Sequence, residues 1–82
     1  MTMNERRAAQ RFRVFKGGTI AFAGGGAACT VRNLSASGAA IELDGLVALP
    51  PSFTLSIAVD HAVHRCRTVW RSDKRIGLEF VH

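Results

Sequence analysis

The stretch FTLSIAV, residues 53–59, sets Phe53, Leu55, Ile57 and Val59 against Thr54, Ser56 and Ala58 in strict alternation. Successive side chains of a β-strand point to opposite faces, so this pattern predicts a strand with one buried and one solvated face. A strand of that kind needs partners, and the flanking sequence supplies them. After a tight turn near Asp60 and His61, DHAVHRCRTVWRS (60–72) places Arg65, Arg67 and Arg71 on one face and Cys66, Thr68 and Trp70 on the other. KRIGLEFVH (74–82) then turns Ile76, Leu78 and Phe80 inward and Glu79 outward.

The same period recurs upstream. In VFKGGTIAFA (14–23) Ile20 and Phe22 alternate with small or polar neighbours, and the glycines at 24–26 supply a hairpin turn where positive φ is cheap. AACTVRNLS (27–35) puts Ala27, Cys29 and Val31 on one face, and GAAIELDG (38–45) opposes Ile41 and Leu43 to Glu42 and Asp44. Pro50 and Pro51 end a loop, since a proline pair has no place in a central strand. Six short strands at turn spacings of about ten residues predict an all-β fold, a small six-stranded antiparallel β-barrel. The barrel is assigned to residues 14–82, with Trp70, Phe22, Phe53 and Phe80 expected in its core, and residues 1–13 are assigned to a flexible basic arm.

Composition agrees with one folded unit. The 82 residues suffice for a single small domain, and a chain 48% hydrophobic and 21% charged can bury a core. The net charge of +5 is concentrated in residues 1–16, mostly the arm, where Arg6, Arg7, Arg11, Arg13 and Lys16 face the single acid Glu5. Such an arm implies an anionic partner. Thr2 and Glu5 have capping-box spacing, but Arg7 and Arg11 repel at i,i+4 by about 0.2–0.5 kcal/mol in a helix this short. The arm is therefore expected to stay mobile until an anion holds it.

Several functions are disfavoured. No nucleophile has a base and an orienting group at hand, and no glycine-rich loop opens a helix, so an enzyme is not expected. Cys29 and Cys66 stand 37 residues apart without companions at metal spacing and read as buried, reduced thiols. His61 and His64 flank a turn and lack a third ligand, so no metal site is expected. An apolar leader and a membrane-length apolar run are both missing, which predicts a cytoplasmic protein without a membrane partner. A nucleic-acid polymer is not expected either, because the strands show no exposed aromatic platform and the chain has no tyrosine.

Two clusters carry the functional signal: Arg7-x-x-x-Arg11 in the arm, and NLSASG, with Asn33-x-Ser35-x-x-Gly38, between the second and third strands. In this order and spacing they resemble the PilZ domain, a bacterial receptor for the second messenger cyclic di-GMP. CRTVWRSDKRIGLEF (66–80), with Gly77-x-x-Phe80, is similar to that family's closing hairpin. The resemblance implies a non-enzymatic receptor with cyclic di-GMP as ligand, no other cofactor, and a separate effector protein as partner. By position, Arg7 and Arg11 correspond to the family's arginine pair, and Asn33, Ser35 and Gly38 to its second motif. Arg6, beside the pair, could reach a second, stacked ligand molecule, which leans the reading toward two ligands per site. Arg13 reads as background, and Arg32 equally as a solvated residue or a contact. The alternative is a PilZ-like protein-interaction module that binds no nucleotide.

The residue types suit the ligand. Each guanine presents an O6 and N7 acceptor pair that an arginine fork can bond, and the same fork binds phosphate or stacks on a purine. Asn33 can offer donors and an acceptor to a guanine edge, Ser35 a hydroxyl, and Gly38 a backbone open to close approach.

Overall fold

The computed structural model describes residues 11–45 and 47–81. Six antiparallel strands, β1 (Phe12–Phe22), β2 (Gly25–Leu34), β3 (Gly38–Leu43), β4 (Ser52–Ile57), β5 (Ala62–Ser72) and β6 (Arg75–Phe80), close into a barrel in the order β1-β2-β3-β6-β5-β4. The seam is short. Thr19, Ile20 and Ala21 of β1 pair with Ser56, Leu55 and Thr54 of β4. Closure joins the two edge strands there, while the earlier part of β1 pairs with β2 alone.

The inward set follows the alternation. Ile20, Val31, Ile41, Leu55, Ile57 and Ile76 have no exposed surface, and Phe53, Leu78 and Phe80 pack around them. β1 begins at Phe12, two residues inside the stretch assigned to the arm, with Phe12 opposite Leu34 and Arg13 opposite Asn33. Cys29 and Cys66 are buried free thiols, as expected.

Turns and bulges account for the departures from simple alternation. The β1–β2 turn falls at Ala23 and Gly24, the latter at φ 93, while Gly25 and Gly26 lie within β2 rather than in the turn. The period-two run of FTLSIAV stops at Ile57. Val59 belongs to a 3₁₀ turn, Ala58–Asp60, and is 69% exposed rather than inward, because His61 at φ 52 reverses the chain there. Polarity alternation continued past the strand end, so sequence could not mark the reversal.

A larger correction concerns Trp70. It is 44% exposed, outside the core in which it was expected. Thr68 pairs with Leu78 and Trp70 with Gly77, so Val69 is an extra residue that shifts everything after it to the opposite face. For the same reason Arg71 pairs with the inward Ile76 and leaves the face that carries Arg65 and Arg67. Two further irregularities lie nearby, at Val14 and Phe15 in β1 and at Arg32 in β2.

Two predictions follow from this packing. A Cβ on Gly38 would overlap the Leu78 carbonyl oxygen on β6. Gly38→Ala should therefore lower stability by at least about 1 kcal/mol in denaturant titrations, whereas Gly17→Ala, where a Cβ meets nothing within 4 Å, should cost far less. Burial pushes both thiols up to about 11 from 9.0. The stability gained by keeping them neutral is complete below the unfolded value and is lost as pH rises through the folded one. The melting temperature should thus fall between about pH 9 and pH 11, less steeply in Cys29→Ala/Cys66→Ala, and iodoacetamide should label neither thiol at neutral pH until the barrel is unfolded.

Candidate functional site

The NLSASG turn joins β2 to β3, and Ser35 organises it. The Ser35 hydroxyl accepts hydrogen bonds from the backbone N–H groups of Ser37 (3.2 Å) and Gly38 (3.1 Å), while the Ser35 N–H donates to the Gly38 carbonyl at 2.9 Å. Asn, Ser and Gly favour turns for this reason. The Phe80 N–H donates to the Ser37 carbonyl at 2.8 Å and ties the turn to the end of β6. Gly38 is required by the close approach of β3 to β6 described above, whatever binds nearby. Ser35 and Gly38 therefore have structural duties of their own, and Asn33 is the motif residue whose side chain lines an open pocket.

Asn33 is half-buried on the outer face of β2. Registers across four strand pairs place it in one row: Trp70 on β5, Gly77 on β6, Ala40 on β3, Asn33 on β2 and Arg13 on β1. With neighbouring strands about 4.8 Å apart, the row runs about 19 Å along the curved outer wall of the closed barrel. It is low at Ala40, whose side chain is a single methyl group. The Trp70 indole covers Gly77 so closely that a Cβ there would overlap the ring. The row thus runs around the outside of the barrel from an indole on β5 to a guanidinium on β1.

Charge gathers at the β1 end. The Arg32 guanidinium donates to Glu42 Oε1 at 2.7 Å and lies 5.5 Å over the Phe15 ring, and Arg75 Nε is 3.7 Å from the same Glu42 oxygen. Arg13, Val14, Phe15, Arg32, Asn33 and Arg75 line an open pocket of about 400 Å³. Arg11 is exposed and immediately precedes Phe12, whose partner Leu34 is followed by Ser35. The arm thus joins the barrel beside the NLSASG turn. Arg6 and Arg7 lie outside the described residues.

Sequence reasoning singled out Asn33, Ser35 and Gly38, which the fold brings together. It missed Trp70 as an outer-face residue, and it missed the convergence of Arg13, Arg32 and Arg75. A strand glycine often marks close approach of another group, so Gly77 was the available hint for Trp70. No comparable local signal points to the arginines, which meet through registers between β1, β2, β3 and β6.

Among the described residues no group of three or more metal-ligating side chains occurs, and no helix is long and apolar enough to cross a membrane. A comparison with curated proteins gives no match. A family model described as the PilZ domain matches residues 5–82, from the arginine pair through the last strand. With that match over nearly its whole length and a closed six-stranded barrel beneath it, the chain belongs to the PilZ domain family, whose members are in general cyclic di-GMP-binding adaptor modules rather than enzymes.

Proposed function

We propose that this chain is a cyclic di-GMP receptor in which the arm carrying Arg7 and Arg11 closes the ligand against the outer face of the barrel at Asn33. The observation that carries the reading is where the arm begins: Arg11 stands next to the strand pair that leads into the Asn33–Gly38 turn. Arginines a few residues upstream are within reach of anything bound on that face.

Arg7 and Arg11 contact the phosphates and the guanine O6 and N7 edges, for which a planar fork is suited. Asn33 bonds a base edge or ribose. Ser35 and Gly38 hold the turn in place. Trp70, exposed on the outer row at β5, supplies a face on which a guanine stacks. Arg6 reaches a second, stacked ligand molecule. The protein makes and breaks no bonds. Binding orders the arm and changes the surface that a separate effector protein meets, so the ligand acts by coupling binding to folding. No cofactor beyond the ligand is needed, and the cytoplasm, where this messenger is made, is the compartment of action.

Titration calorimetry tests the reading. The wild-type chain should bind cyclic di-GMP, and Arg7→Ala and Arg11→Ala should each weaken binding by about 1.5–3 kcal/mol, the usual scale for a hydrogen bond to a charged group. Unchanged binding in the double variant, or none in the wild type, would leave the interaction-module reading instead. Trp70 is the single tryptophan, so ligand should alter the intrinsic fluorescence. Trp70→Ala should cost about 1–3 kcal/mol, as the loss of one base stack does.

A further inference from the structure

We propose that Arg13, Arg32 and Arg75 form, with Phe15, a second nucleotide subsite on the β1 side of Asn33. It holds a purine nucleotide's phosphate against the guanidiniums and its base against the phenyl ring. The identity of that nucleotide as cyclic di-GMP rests on the function proposed above, but the subsite itself rests on four observations.

The first is convergence. Three guanidiniums from β1, β2 and β6 line one open pocket with the Asn33 amide, and its volume of about 400 Å³ falls in the range of small-ligand sites. It is large enough for one nucleotide. The second is charge balance. Glu42 is the only carboxylate paired with this set among the described residues, so three cations meet one anion. Both ion pairs are partly exposed and contribute modestly, so a phosphate can take Arg32 or Arg75 from Glu42 at modest cost.

The third is Phe15. It is 79% exposed, an unusual position for a phenyl ring in a small barrel, and the Arg32 guanidinium carbon sits 5.5 Å from the ring centroid, within cation–π reach. Phosphate-binding cations beside an open aromatic face are what a nucleotide monophosphate unit requires. The fourth is the backbone. The register slips at Val14 and Phe15 in β1 and at Arg32 in β2 face one another across the β1–β2 pair. Phe15 and Arg32 already lie outside by regular alternation, and the extra residue at Arg32 relative to β3 turns Asn33 out beside them.

Two sources could supply this chemistry: the second phosphate and base of the dinucleotide already at Asn33, or a further molecule of it. Stoichiometry separates them. The experiment follows the arginine side-chain Nε–Hε resonances of ¹⁵N-labelled full-length protein during titration with cyclic di-GMP and, separately, with 5′-GMP. Calorimetry runs alongside on wild type, Arg32→Ala/Arg75→Ala, Phe15→Ala and Glu42→Gln. Saturable shifts of Arg13, Arg32 and Arg75 are expected, with Phe15 ring protons moving upfield. The double variant and Phe15→Ala should keep the wild-type melting temperature within a few degrees. They should either lose one ligand equivalent, which assigns the subsite to a further molecule, or bind at unchanged stoichiometry with at least roughly tenfold lower affinity, which assigns it to the same one. Glu42→Gln, which frees both arginines, should bind more tightly. Wild-type affinity and stoichiometry in both variants would overturn the subsite. Should the wild type ignore cyclic di-GMP, the function proposed above fails, and 5′-GMP decides this one: saturable shifts at Arg32 and Arg75 sustain it, and their absence overturns it.

Discussion

Three residue pairs between β1 and β4, Thr19 with Ser56, Ile20 with Leu55 and Ala21 with Thr54, turn an open sheet into a barrel. Without that seam, β1 and β4 would both be edges and the inward aliphatics would cover only one face. With it, Ile20 and Leu55 meet at the seam and help to close the core around Ile41, Ile57 and Ile76. Small domains bury a limited share of their surface, so these side chains must supply most of the apolar stabilisation. Cys29 and Cys66 serve that core as small hydrophobes, and their displaced thiol ionisation reflects the same loss of water.

Closure commits the inner face to packing and leaves the outer face available for binding. That face is uneven because three strands carry extra residues. The bulge at Val69 moves Trp70 outward over Gly77, and the one at Arg32 turns Asn33 outward beside Arg13, Phe15 and Arg32, which regular alternation already places outside. Between them Ala40 keeps the surface low. A regular alternation would have turned the indole and the Asn33 side chain inward. The surface proposed for binding is thus shaped in part by local departures from the pattern that makes the core, as surfaces beside functional sites commonly are.

The NLSASG turn links these two layers. Its serine hydroxyl satisfies two backbone N–H groups, its glycine admits the β6 backbone, and its Ser37 carbonyl accepts from Phe80. Half of the motif therefore fixes where β2 ends and β3 begins, which sets the register that holds Asn33 on the outer row. A motif of this kind can serve binding largely by positioning. In the proposed site the direct polar contacts come from Asn33 and from arginines on neighbouring strands and on the arm.

Alternation in residues 53–57, 27–31 and 76–80 was enough by itself to determine strand, face and barrel, because burial on one side imposes period two on any such strand. Arg7, Arg11, Asn33, Ser35 and Gly38 could be singled out as a family pattern because their spacing along the chain is local. The inward places given to Val59 and Trp70 followed the same rule and were overturned, one by a 3₁₀ turn and the other by a single extra residue. Neither event changes composition or polarity enough to be seen in one sequence. The meeting of Arg13, Arg32 and Arg75 around Phe15 lay further out of reach. It depends on registers among four strands, and register is decided when turns, bulges and the seam all close around one core.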